Sequence, residues 1–373
     1  MSENSMFAAG QFLLGTFASN CSSGMSVTKV NERWVNSWDN NLKLARQLDE
    51  AGIDFMLPIA RWIGYGGETN FHGNVLETMT WAAGLLASTT NINVFATIHT
   101  AANHPVVVAK QMATIDRISG GRIGLNVVAG WNQPEYEALG LDLPADHESR
   151  YAYAEEWFDV VESLWERDQA FDYDGRFFHL KNVLGDPRPQ RRAPILNAAG
   201  SGQGRAFVVR NADFLFTPAI DLNRSTAEIA ELKEQGKAAG RNLGVLTFAH
   251  VVCRPSEKEA RDYLQHFGKD NADWEAVDNL VRLQFAHAQS FPHDLLALIR
   301  DRMAAGHGGF PLVGTPEQIA EGLLALHQAG FGGTTLSFVD YNAEFPYFRD
   351  QVLPLLEQAG IRRPVSTAAD ASA

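Results

Sequence analysis

Cysteine is nearly absent: Cys21 and Cys253 are the only two in 373 residues, far apart and without metal-ligand spacing. A disulfide framework and a cysteine-held zinc site are therefore not indicated, and both residues read as small core or loop positions. No apolar run approaches the roughly 20 residues that a membrane helix needs, so no membrane role is expected. Basic residues are outnumbered, 31 Lys and Arg against 44 Asp and Glu, for a net charge of −13. Most of such a surface repels nucleic acid and anionic lipid, so an anionic ligand must be met by a local cluster of donors. No Gly-x-Gly-x-x-Gly follows a first strand with an acid downstream, and neither an early His-x-His nor a His-Glu-x-x-His occurs. Built-in nicotinamide binding and metal catalysis are therefore not expected. The opening Met-Ser-Glu-Asn-Ser-Met lacks the basic and then apolar character of a secretory signal, which makes the cytoplasm the expected location.

What is present is a core and a rhythm. Hydrophobic residues make up 45% of the chain, enough for a sizeable core. Strand-like apolar runs alternate with amphipathic helix patterns, the signature of βα units around a parallel sheet. Eight candidate strands lie at Phe12 to Phe17, Ile53 to Ala60, Ile92 to His99, Ile123 to Val128, Pro194 to Ala198, Asp213 to Pro218, Leu243 to Val252 and Thr334 to Val339. Eight strands with helical crossovers predict an α/β fold, a (β/α)8 TIM barrel with insertions, over an open sheet. Trp157, Val160, Val161, Leu164 and Trp165 share one helix face and read as core. Thr315-Pro316-Glu317-Gln318 opens a helix that Gly330 closes. A short hairpin is expected across Asp172 to His179, turning at Asp174-Gly175. Residues 1–363 are read as one domain, with a helical insertion near 256–311 of the kind that forms lids. A disordered tail is expected at 364–373.

The densest functional signal runs from Arg117 to Tyr136: a helix end, a turn at Gly120-Gly121, a strand from Ile123 to Val128 and a polar loop. Asn126 intrudes into that apolar strand and must find hydrogen-bond partners, either in neighbouring backbone or in a bound polar ring. Chemistry in such a barrel sits at the C-terminal strand ends, which nominates Ala60 and Arg61, Thr97 and His99, Asn126, and Asn197. After the fifth strand, Ala199-Gly200-Ser201-Gly202-Gln203-Gly204 leads into a helix, a turn that serves as a phosphate cradle or as a plain connector. Arg150-Tyr151 offers a cation for a phosphate, or a surface helix cap paired with Glu148 or Asp146. His99 and His250 fall near strand ends as possible acid, base or contact residues, while His104 before Pro105 reads as structural.

These residues carry a resemblance. Lys110-Gln111, the run Ile115 to Arg122, Asn126 to Trp131 and Pro134-Glu135-Tyr136 resemble the bacterial luciferase-like flavin-dependent monooxygenases, and the likeness extends from about Phe12 to Leu355. Gly64-Tyr65-Gly66-Gly67-Glu68-Thr69 with Leu76-Glu77-Thr78 is similar to pyrimidine oxygenases. Asn20 to Gly24, Val27-Thr28-Lys29 and Pro311 to Gln318 are closer to dimethyl sulfone monooxygenases. The resemblance implies FMN at the barrel mouth, with Ala60 and Arg61 bordering the ring and Asn126 and Glu135 at its polar edge or ribityl chain. Arg150, Tyr151 and Ser201 would hold the phosphate. It also implies reduced FMN (FMNH2) delivered by a separate NAD(P)H:flavin reductase, O2 as co-substrate, and a flavin peroxide, formed at N5 in the pyrimidine-oxygenase-like branch. Thr97 and Asn126 would then lie near the oxygen, and the protein would be a homodimer or tetramer; His99, from its place at the strand end, is a further candidate substrate or peroxide contact.

The favoured reading is a two-component monooxygenase that cleaves a small organic compound, foremost a nitrogen heterocycle. C–S cleavage of an organosulfur compound stands beside it, as do a deazaflavin-dependent oxidoreductase and a non-catalytic flavin-binding barrel. The residues expected at the flavin do not name the substrate.

Overall fold

Eleven strands lie among the residues that the computed structural model describes, 4–8, 10–144, 146–200, 202–284 and 293–364. They are β1 (Leu13–Phe17), β2 (Phe55–Leu57), β3 (Asn93–His99), β4 (Ile123–Val128), β5 (Phe171–Asp174), β6 (His179–Val183), β7 (Ile195–Asn197), β8 (Phe214–Phe216), β9 (Gly244–Cys253), β10 (Phe310–Gly314) and β11 (Gly333–Ser337). Parallel pairing runs β11-β1-β2-β3-β4-β7-β8-β9, and β9 pairs with both β8 and β11, which closes an eight-stranded barrel. The expected (β/α)8 architecture is therefore observed. The tail expected from 364 falls, beyond Pro364, outside the described residues.

Two strand expectations need correction. Ile53 to Ala60 was too long: pairing ends at Leu57, and Pro58 to Arg61 form the loop that leaves β2. The segment expected to be helical up to Pro311 ends in a strand, since β10 pairs with Ala249–Cys253 of β9. Its other side has no strand neighbour among the described residues, and such an edge position tolerates Pro311, which has no N–H to give to a ladder. The hairpin forms as β5–β6, its loop spanning 175–178.

Period-two alternation decides what fills the barrel. Phe55, Phe95, Phe214, Leu13, Leu196 and Leu246 pack together inside it. Gly15, Gly124 and Gly244 make room, because a Cβ on each would stand 2.5–2.7 Å from the rings of Phe55, Phe95 and Phe214 respectively. Above this apolar floor the same alternation turns Thr97, His99 and Asn126 toward the barrel axis. Outside, the Trp157, Val160, Val161 and Leu164 stripe of the helix His147–Glu166 is buried against the barrel.

Part of the Arg117 to Tyr136 stretch is structural. Gly120 ends the helix Pro105–Ser119 in the left-handed conformation (φ 66°). The Arg122 guanidinium then binds the carbonyls of Leu86, Thr89, Ile92 and Ser119, clamping the entry of β4. Residues 256–309 supply the helices Glu257–Gln265, Trp274–Gln284 and His293–Gly306. Asp273 accepts from Thr69 N (2.7 Å) and Thr69 Oγ1 (2.8 Å), and Asn279 donates to Tyr65 O. These contacts tie that region to the loop that follows β2. Tyr65 and Phe71 of that loop also pack with Val27, Ala276, Val277, Leu280 and Ala304 in one apolar cluster.

Candidate active site

The polar set begins with two side chains in register across β3 and β4. Thr97 lies opposite Asn126, and Asn126 Nδ2 donates to Thr97 Oγ1 at 3.2 Å while that hydroxyl donates to Pro58 O at 2.6 Å. The relay fixes the Asn126 amide. It also commits the Thr97 proton, so Thr97 orients Asn126 in this state and presents no free donor. Asn126 is 5% exposed, and its Oδ1 has no partner among the described residues. A buried carbonyl left bare in this way costs about 1–3 kcal/mol unless something supplies a donor.

Beside it sits a buried ion pair. Arg61 Nη1 donates to Glu135 Oε2 at 3.1 Å, with side chains 5% and 0% exposed. Glu135 Oε1 accepts from Trp62 N at 2.6 Å. Glu135 is thus no solvated loop acid: the short helix Gln133–Ala138 turns it inward. The Arg61 guanidinium lies 4.9 Å from the Tyr65 ring and 5.3 Å from that of Trp131, and its Nε has no partner among the described residues. Ala60 is half-buried next to it.

His99 Nδ1 stands 3.9 Å from Glu135 Oε2, too far for a hydrogen bond. Burial, reinforced by the Arg61 charge, holds its pKa at about 3, so the ring is neutral and this is no ion pair. It stacks on Tyr136 (5.9 Å, 19°), whose hydroxyl is pushed up to about 12 by burial and by Glu135 and stays protonated. Gly130 (φ 108°) permits that placement, since a Cβ there would lie 2.4 Å from Tyr136 Oη.

Of the residues expected at a phosphate, Arg150 and Tyr151 are described. Arg150 is buried and donates to Gly130 O and Asp146 O. Tyr151 packs on Phe207, and its hydroxyl sits so close to Gly204 that a Cβ there would be 2.6 Å away. Tyr151 therefore flanks the start of the helix Gly202–Asn211, Asn197 ends β7, and Arg150 is held at the Gly130 loop. Ser201 lies outside the described residues.

No local sequence pattern marks His72 and His307. His72 is buried and His307 half-buried beside Tyr65, with ring centroids 6.0 Å apart, and desolvation lowers the pKa of each, that of His307 to about 4. His250, on the inward side of β9, is likewise lowered to about 4 by burial. His104, in contrast, is exposed and caps a helix, as expected.

These histidines predict acid lability. Their folded pKa values lie below the unfolded value near 6.5, so nothing is lost above that pH. Below it the unfolded chain takes up protons that the folded one refuses, and each histidine costs about 1.4 kcal/mol per pH unit until its folded pKa is reached. Asp54 and Glu344, raised by burial, oppose this at the acid end. Thermal melts from pH 7 to 4.5 should fall steeply below pH 6.5; a flat profile would show that the histidines are accessible to protons in the native state.

Fold and site together define a (β/α)8 barrel with buried polar side chains gathered at the C-terminal ends of its strands. Residues 13–333 match the family model described as luciferase-like monooxygenase, and the chain belongs to that family. The pyrimidine monooxygenase of Cronobacter turicensis is 30% identical over 350 residues, 92% of each chain. The FMNH2-dependent dimethylsulfone monooxygenase of Pseudomonas fluorescens is 30% identical over 345 residues, covering 91% of this chain and 93% of that one. The structure of DmoA from Hyphomicrobium sulfonivorans shares the fold, with TM-score 0.83 at 20% identity over 95% of this chain and 89% of that one. The protein is accordingly a flavin-dependent monooxygenase that uses reduced FMN and O2.

Proposed function

We propose that this chain is the oxygenase of a two-component system. A separate NAD(P)H:flavin reductase supplies FMNH2, and the enzyme oxidises and opens a small nitrogen heterocycle of the pyrimidine or pyridine type. The observation that carries the substrate class is Arg61, a planar cation between the Tyr65 and Trp131 rings with an unspent Nε–H. A flat ring bearing a carbonyl matches both the aromatic walls and the donor. Similarity to the pyrimidine monooxygenases at 30–31% identity points the same way.

Bound FMN supplies the electrons that activate O2; the chain's residues position and protect it. The bare Asn126 Oδ1 is an acceptor and suits the N–H that a flavin ring carries at N5 only when reduced. Thr97 keeps that amide in place, and Arg150, Tyr151 and the glycine-rich turn would hold the phosphate. Glu135 neutralises Arg61, so the pocket carries no net charge that would draw in water. Neutral His99 and protonated Tyr136 offer hydrogen bonds without adding charge.

A second reading is C–S cleavage of a sulfone, favoured by the comparable identity to the dimethylsulfone monooxygenase. Incubation with a flavin reductase, FMN, NADH and O2 against uracil, 2-pyridone and dimethyl sulfone, with products read by mass spectrometry, separates the two. Ring-opened product from a heterocycle is expected; product from the sulfone alone would replace this reading with the second.

A further inference from the structure

We propose that His72 is a substrate-selecting acceptor: its Nδ1 receives the ring N–H of a cyclic amide or imide whose carbonyl is met by Arg61. This inference rests on the heterocycle reading above and narrows it to rings containing the –CO–NH– unit.

The tautomer follows from one contact. His72 Nε2 lies 2.5 Å from Gly24 O. A carbonyl only accepts, so Nε2 carries the hydrogen and Nδ1 of the neutral ring is a bare lone pair. His72 is 1% exposed, and Nδ1 has no partner among the described residues. The ring is not free to turn toward another partner, because it lies flat on Phe71 (3.9 Å, 22°) while bound to Gly24. Burial and the neighbouring His307 keep its pKa well below the ordinary imidazole value, so the lone pair stays available at neutral pH.

Its neighbours complete the pattern. The Tyr65 ring is 5.9 Å away, and the Tyr65 hydroxyl, 3% exposed as a residue, is also without a partner among the described residues. Tyr65 in turn lies under Arg61, whose Nε–H is unspent. Tyr65 thus neighbours both Arg61 and His72, and the three buried side chains hold an obligate acceptor, an obligate donor and a hydroxyl that serves as either. Buried orphans of this kind are expensive singly, and three in one cluster suit a ligand that pays them together. A ring with adjacent N–H and C=O satisfies the acceptor and the donor. A sulfone has only acceptor oxygens and leaves His72 Nδ1 bare, so the same residue discriminates between the two substrate classes.

Anaerobic calorimetric titration of the enzyme saturated with FMNH2 tests this without turnover, using uracil, 1,3-dimethyluracil and dimethyl sulfone as probes. Uracil is expected to bind at least ~10-fold more tightly than its dimethylated form, the equivalent of one hydrogen bond. His72→Phe should close that gap to within about 2-fold at unchanged flavin affinity. His72→Leu, which likewise offers no acceptor, should do the same, so a folding failure in one variant leaves the other as the test. Uracil binding with the gap intact in the variants, or no gap in the wild type, overturns the assignment to His72 alone. Binding of the sulfone but not of uracil by the wild type overturns the heterocycle reading and this inference with it.

Discussion

Arg61→Ala should lower the unfolding free energy by about 3–5 kcal/mol, the range for removing one partner of a buried, hydrogen-bonded ion pair. The loss has three parts. Glu135, fully buried, keeps only the Trp62 N–H and is left as an uncompensated charge. The contacts of the guanidinium with Tyr65 and Trp131 disappear, which loosens the loop after β2 against the helical cap. A cavity replaces the long side chain. Urea denaturation measures the total, and the double variant Arg61→Ala, Glu135→Gln should recover part of it, because neutralising the orphaned acid removes the largest cost. Arg61→Lys should fall between, since an ammonium keeps the charge but not the planar face that lies between two rings. A shift under about 1 kcal/mol in Arg61→Ala would mean that the pair is open to water.

Asn126→Ala should lower product formation by ~10²–10³-fold, the usual loss when one preorganised polar contact to the reacting centre is deleted. Stability should change little, because the variant removes a bare carbonyl along with one hydrogen bond to Thr97. FMN affinity should stay largely intact, because the phosphate is proposed to bind elsewhere, around Arg150, Tyr151 and the glycine-rich turn. Oxygen uptake should continue but end in hydrogen peroxide rather than oxygenated substrate. Thr97→Val is expected to follow the same pattern more weakly, since it frees the Asn126 amide without deleting it. Full activity in Asn126→Ala, measured by product and peroxide together, would remove Asn126 from the reaction.

The barrel was legible because each strand announces itself as a short Val, Ile, Leu or Phe run after a helix end. β10 was not, because Pro311 argues against a ladder wherever both sides are paired, and no local signal marks an edge. At the site, Thr97, His99 and Asn126 were readable as polar residues at the ends of apolar strands. Glu135 was not readable from its own neighbourhood: only the resemblance raised it, and only the fold shows it buried on Arg61. His72 and His307 gave no sign, since both lie in loops far apart in sequence and acquire meaning when the cap brings them to Tyr65. The Arg117 to Tyr136 stretch divides in two. Its first half, through Arg122, clamps the closed end of the barrel, and its second half, from Asn126 to Tyr136, lines the mouth.

The most direct measurement is a single turnover of the FMNH2-loaded enzyme with 18O2 and a pyrimidine such as uracil, followed by mass spectrometry of the ring-opened product. One 18O atom per product molecule, with wild-type yield near the flavin supplied and almost none in Asn126→Ala, is the predicted result. Complete conversion of the flavin's electrons to hydrogen peroxide with no labelled product from any ring or sulfone probe would contradict it.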